Sequence, residues 1–336
     1  MALGRTLLSM RNRVLASALI SLLLLGAVSP TFGDAKGVPN ANAVGYWTAD
    51  RRDNAVAREF QFEPGAKVGK LVPQAKRGGS GGATTTSGTS YWPANQQSQF
   101  VANITGKVFF SMNGTNYVCS GSLVDDSNPA IAIVVTAGHC VWDNSVSGAF
   151  ATNWSFWPNY DTDSSLNRVG FAATQLYARK DFTNQTSFNT TAILNDYAFA
   201  VINSSDARIN PSSLPVLGNF VKGNTAYAFG YPQATPYNGN ELVYSFGPLG
   251  TDANTGNKTW RLSSSLTGGA SGGPWYSGYS NGNNVGSVGS VNSYKYTTDK
   301  NSMYGPQFSN LTTDLLNTAK SAICVASTTI NCTVLP

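Results

Sequence analysis

Between about residues 103 and 294 the apolar residues come in short bursts rich in Val, Ile, Phe and Tyr, separated by Gly, Asn, Asp and Ser. The bursts at 106–111, 116–124, 130–136, 170–176, 196–202, 226–230, 241–246, 259–263 and 285–294 predict β-strands, because branched and aromatic side chains suit a pleated, half-buried surface. Between the first two stands Met112-Asn113-Gly114-Thr115, and Asn-Gly favours the tight turn of a hairpin. One late segment follows another period. Leu311, Leu315, Leu316, Ala319 and Ile323 recur at helical spacing behind the cap candidates Ser309, Asn310 and Thr312, which predicts a helix over 312–323. The expectation is an all-β domain of about 240 residues closed by one C-terminal helix.

The residues ahead of this domain read differently. Arg5, Arg11 and Arg13 precede an apolar run at 14–27, interrupted only by Ser17, Ser21 and Gly26. The run is short for a membrane span and fits an export signal, expected over 1–33 with cleavage near Gly33 and Asp34. Residues 34–76 are mixed, with no sustained period. Lys76-Arg77 then opens a Gly/Ser/Thr-rich stretch, a flexible linker by composition. We expect 34–95 to be a pro-segment with its linker, or an arm that stays attached, and 96–336 to be the main domain, its two halves meeting near 210–218.

Composition narrows the function classes. Charged residues are only 12% of the 336, so Ser, Thr, Asn and 34 Gly must supply the polar surface, which argues against a charged helical bundle. The net charge of +5 divides into +3 for residues 1–33, +3 for 34–100 and −1 for 101–336, so the body carries no nucleic-acid footprint. One His and four Cys argue against a His-rich metal site, and an exported chain can form disulfides.

Three stretches could carry chemistry. Ser271 lies among glycines in Thr267-Gly268-Gly269-Ala270-Ser271-Gly272-Gly273-Pro274. This is either a turn or a nucleophile on a sharp bend with backbone N–H groups facing a reacting carbonyl. His139, the chain's single histidine, ends Thr136-Ala137-Gly138-His139 after an apolar run. Such a residue is structural or a general base, and a serine hydroxyl needs a base to attack. Asp196 precedes the apolar Tyr197-Ala198-Phe199-Ala200-Val201-Ile202. There it is a strand-start turn residue or the carboxylate that orients the imidazole, with Asp143 and Asp181 as other acids.

Taken together, T-A-G-H-C at 136–140, N-D-Y-A-F-A-V-I at 195–202 and G-G-A-S-G-G-P at 268–274 resemble the chymotrypsin-like (trypsin-like) serine peptidases, in the same His, Asp, Ser order. The resemblance covers about 96–336. It implies two packed six-stranded antiparallel β-barrels with a C-terminal helix. It also implies His139, Asp196 and Ser271 as catalytic residues, the Gly269 and Ser271 N–H groups as oxyanion hole, and an acyl-enzyme mechanism needing no metal or organic cofactor. It further implies a Cys119–Cys140 bridge, leaving Cys324 to pair with Cys332.

Ala270 stands where many animal members carry an acid, so no buried N-terminal ammonium would have a partner there. The non-acid after Thr267-Gly268-Gly269 is similar to bacterial glutamyl endopeptidases, whose second histidine this chain lacks. Ser265 stands where trypsins carry an acid, so Ser265 and Leu266 are expected to form a neutral or small apolar substrate pocket. The repeat V-G-S-V-G-S-V at 285–291 leaves the register of the opposite wall open. The functional expectation is a secreted, monomeric serine endopeptidase acting on protein or peptide substrates, with no nucleic-acid partner and no membrane attachment once the signal is removed. The rival reading is an inactive secreted relative that binds peptides or matrix.

Overall fold

The computed structural model describes residues 35–37, 39–40, 42–76, 88–126, 131–144, 148–161, 169–203, 214–280, 285–325 and 331–334. The expected leader, the linker at 77–87 and the expected junction between the halves at 210–213 lie outside these residues. Among the described residues no helix is long and apolar enough to cross a membrane.

The first half is a closed antiparallel barrel. Its six strands are Thr105–Met112, Thr115–Val124, Ile131–Thr136, Ala198–Asn203, Phe171–Ala178 and Thr152–Pro158; each pairs with the next and the last pairs with the first. Ile131–Thr136 is buried along its whole length, which is why its sequence reads as a continuous apolar run rather than an alternating one. Asn113 and Gly114 both take positive φ, 48° and 76°, as a two-residue hairpin turn demands.

Six of the strands described in the second half, divided between two sheets, enclose its core. Thr225–Gly230, Val243–Pro248, Pro274–Ser277 and Ser287–Val291 lie in one, and Thr259–Ser263 and Asp299–Pro306 in the other. Between them sit Ala226, Ala228, Val243, Leu262, Leu266, Trp275 and Met303, all buried. Thr89–Tyr91 joins the edge of the first sheet against Val243–Ser245, so the chain is already part of this half five residues before position 96.

The C-terminal helix is Asn310–Lys320. Ser309 caps it in a reciprocal box with Thr312, and Thr312, Leu315, Leu316 and Ala319 face inward. It ends three residues earlier than its period suggested, because Ala322–Val325 turns back as a strand against Asn331–Val334. Leu311 is exposed instead of belonging to the inward stripe. The strand register sets Cys324 opposite Cys332, and their side chains fall outside the described part of the molecule.

Residues 35–76 do not hang free. Ala35–Gly37 pairs with the barrel strand Phe171–Ala178, and Trp47 is buried with its indole N–H donating to the Asn153 carbonyl at 2.6 Å. Val56–Ala57 runs parallel to Thr115–Val124, and Phe60–Phe62 runs parallel to Tyr294–Tyr296. The segment thus bridges strands from both halves.

Cys119 and Cys140 form the disulfide that the resemblance implied, 21 residues apart in sequence. Closing a loop of that length constrains the unfolded chain by about 3 kcal/mol. The double variant Cys119→Ala/Cys140→Ala is expected to lose at least that much in urea unfolding. A loss under about 1 kcal/mol would mean that the bridge does not limit the unfolded chain.

Candidate active site

Strand register brings two of the three candidate residues together. Ala198 pairs with Thr136. Asp196 lies two residues before one member of that pair and His139 three after the other, so both emerge at one end of the barrel. The result is a two-point clamp. The His139 backbone N–H donates to Asp196 Oδ1 at 2.7 Å, and His139 Nδ1 stands 2.8 Å from Oδ2. The Ser293 hydroxyl adds a third bond to Oδ2 at 2.5 Å. Both His139 and Asp196 are fully buried. Asp143 and Asp181 are engaged elsewhere, by Arg58 and Arg179.

The glycine-rich stretch forms a tight turn against the same end. Ser120 N–H donates to the Ser271 carbonyl at 2.7 Å, and Gly273 N–H to the Ala270 carbonyl at 2.9 Å. Gly272 has φ +80°, and a Cβ there would come within 2.1 Å of Thr136 Oγ1. Only glycine lets the Ser271 bend approach Thr136 and Ala137 so closely. Gly269, at φ +104°, would drive a Cβ to 2.7 Å from the Tyr231 carbonyl. Ala270 is buried against Gly230, with no ionisable side chain of its own.

The N-terminal segment fills the space beside these residues. His139 Nε2 lies 3.1 Å from the Arg58 carbonyl oxygen. A carboxylate oxygen thus stands at one ring nitrogen and a carbonyl oxygen at the other, so the segment occupies the nitrogen that Asp196 leaves open. The buried Arg58 guanidinium donates to the His139 carbonyl at 2.8 Å and to Asp143 Oδ1 at 2.9 Å. Burial lowers its pKa, and Asp143 opposes that shift. Phe60 and Phe188 stack at 4.0 Å and meet the imidazole edge-on. Gln233 holds the segment from the other side, its amide donating to the Ala55 carbonyl at 2.8 Å.

Glu59 turns into the adjoining pocket, where it is 3% exposed and accepts from Gln74 Nε2 at 2.6 Å. Burial pushes its carboxyl above the ordinary range, while Lys295, Gln61, Gln74 and the Gly268 N–H pull it back. Of the two residues expected to form the pocket, Leu266 is buried, and the Ser265 hydroxyl pairs with the Tyr237 hydroxyl at 2.8 Å. Sequence reasoning missed Lys295, which lines the same pocket. The signal for it was Ser293-Tyr294-Lys295, hidden by the ambiguous repeat before it.

The model of the lysyl endopeptidase C-terminal domain matches residues 87–208. No curated protein matches the chain. Among solved structures, protease Anisep from Arthrobacter nicotinovorans is 34% identical, with 66% of this chain and 97% of that one covered at a TM-score of 0.57. The thermostable serine protease AL20 from an extremophilic microorganism is 35% identical, with 65% and 97% covered and a TM-score of 0.57. A Glu endopeptidase solved with MPD shares the fold at 17% identity, with 70% and 97% covered and a TM-score of 0.52. The chain belongs to the chymotrypsin-like serine peptidases, on the side of these bacterial proteases, and is a serine endopeptidase. Nearly the whole of each related protease is matched, and about a third of this chain has no counterpart in the first two.

Proposed function

We propose that Ser271 is the nucleophile, His139 its general base and Asp196 the carboxylate that orients the base. The observation that carries this reading is the His139–Asp196 pair, buried, 2.8 Å apart and braced by Ser293, beside a glycine turn that holds Ser271. His139 takes the Ser271 proton as the hydroxyl attacks a peptide carbonyl. The Gly269 and Ser271 N–H groups receive the oxyanion, and His139 then protonates the leaving amine. Water releases the acyl-enzyme by the same steps. The substrates are proteins or peptides, and the chain acts as a secreted monomer after removal of the leader at 1–33. A fluorophosphonate probe tests the assignment: the processed chain should be labelled at Ser271, and Ser271→Ala should not. Absence of labelling in every processing state would favour an inactive peptide-binding relative.

We read residues 35–76 as the inhibitory part of a zymogen. The Arg58 carbonyl, 3.1 Å from His139 Nε2, takes the place beside that nitrogen from which a serine proton would have to arrive. Gln233 and Lys295 of the peptidase domain remain when the segment leaves, whereas Arg58, Glu59 and Phe60 leave with it. Cleavage within 77–87 would free the segment and keep Thr89, whose buried hydroxyl ties Ser245 to the Ser265 N–H. With Ala270 at the position before Ser271, the new N-terminus needs no buried charge partner, so several start positions would serve.

A further inference from the structure

We propose that the pocket beside Ser271 selects an acidic side chain on the substrate, and that Lys295 is the residue that selects it. The inference rests on the serine endopeptidase reading above and names the substrate class of that site.

The N-terminal segment shows which pocket is meant. The Arg58 carbonyl sits on His139 Nε2, and the next residue, Glu59, sends its side chain into the hole alongside. A cavity of about 310 Å³ remains around it, lined by Glu59, Gln74, Thr235, Thr267, Lys295 and Lys300. One wall is the stretch leading to Ser271, where Gly268 would place a Cβ 2.9 Å from Glu59 Oε2. The other wall is the strand Tyr294–Tyr296 that follows Ser293, the partner of Asp196.

Lys295 is 5% exposed. Its Nζ donates to the Lys300 carbonyl at 2.8 Å and to the Ser264 carbonyl at 3.2 Å, which fixes the ammonium next to Ser265. An ammonium has three N–H donors, so among the described residues one is left to face the cavity. The nearby acid Asp299 is already engaged by Arg261 at 3.4 Å and by the Tyr304 hydroxyl at 2.9 Å. Once residues 35–76 leave, Glu59 goes with them, and the charged groups left lining the cavity are Lys295 and Lys300. A buried cation without an anion is costly, and the carboxyl that faces it here leaves with the segment, so an incoming carboxylate takes its place beside the ammonium. Burial lowers Lys295 to about 8, with Glu59 and Asp299 opposing the shift, which agrees with an ammonium short of anionic partners. A substrate lysine or arginine would meet like charge. The expectation of a neutral or small apolar pocket therefore gives way to a cationic one.

The test uses enzyme processed from the full chain and a series of internally quenched peptides differing at one residue, on the acyl side of a single cleavable bond: Glu, Asp, Gln, Leu or Lys. Glu is expected to exceed its neutral isostere Gln by at least about 10-fold in kcat/KM, and Lys to be cleaved least. In Lys295→Met the Glu/Gln ratio should fall to about one, and Lys295→Arg should keep a ratio well above it. Labelling of Ser271 by the fluorophosphonate probe in each variant separates a changed pocket from an unfolded one. A wild-type Glu/Gln ratio at or below one overturns the proposal, whatever the variants do. So does an unchanged ratio in a labelled Lys295→Met enzyme, which would leave Lys295 as a strut between two carbonyls. Loss of labelling and of all cleavage in the wild type would instead sink the serine endopeptidase reading.

Discussion

Ser271→Ala in the processed enzyme is expected to lower kcat/KM on a peptide substrate by about 10⁴-fold or more, the scale seen when a catalytic triad loses its nucleophile. His139→Ala should cost a similar factor, because the serine hydroxyl is a poor nucleophile without a base to take its proton. The double variant should be no worse than Ser271→Ala alone, since the two residues act as one unit. Asp196→Asn probes a different point. The amide is nearly the same size, and with its oxygen at the Oδ1 position it still accepts the His139 backbone N–H, which now bonds the carboxylate at 2.7 Å. Its NH2 then takes the Oδ2 position, loses the Ser293 hydroxyl as a donor, presents N–H toward Nδ1 and holds the ring in the wrong tautomer. A fall of about 10⁴-fold in kcat with little change in KM is expected. If Asp196→Asn left kcat within a few-fold of wild type, the 2.8 Å contact would be structural and the base would be oriented by another group.

Blocking cleavage of the linker at 77–87 is expected to leave the protein folded and inactive, with fluorophosphonate labelling at least about 10³-fold slower than in the processed enzyme. The magnitude follows from what docking buries. Phe60 is 1% and Phe62 3% exposed, and burying two such rings contributes about 3–6 kcal/mol. An open fraction of one in 10³ corresponds to about 4 kcal/mol. The double variant Phe60→Ala/Phe62→Ala should therefore restore much of the labelling rate without any cleavage. Equal labelling of blocked and processed chains would contradict the zymogen reading.

The same state carries a pH dependence of definite sign. Burial raises the Glu59 carboxyl above its ordinary value, so the docked segment holds a proton more readily than the released one. Docking is favoured most fully below the ordinary carboxyl range and weakens as pH rises through the raised value. Labelling of the blocked chain should accelerate with pH across that window, and Glu59→Gln should remove this part of the dependence.

The residues proposed for the active centre stand out in the linear chain because their demands are local. A serine on a sharp bend needs glycines as immediate neighbours, and Gly272 has room for no side chain at all. A histidine and an aspartate meet at the end of a buried strand pair only if each flanks an apolar run, and 131–136 and 198–202 are such runs. The six-strand barrel follows from the same alternation of short apolar runs and turns. Sequence order alone also set the helix at the C-terminus, within three residues of its true end. Tertiary structure decided the rest. Residues 34–76 carry no sustained period because their partners are strands of another part of the chain. Val56–Ala57 and Phe60–Phe62 become strands only through pairing with Thr115–Val124 and Tyr294–Tyr296. Thr89–Tyr91, which reads as the tail of a flexible linker, is likewise ordered by Val243–Ser245. The pairing behind the proposed pocket was hidden for the same reason. Glu59 and Lys295 are 236 positions apart in sequence and come to line one cavity only after both halves and the N-terminal segment have packed. A short-range pattern records the backbone conformation that a residue needs, whereas a charge in a pocket depends on which distant strand folds over it.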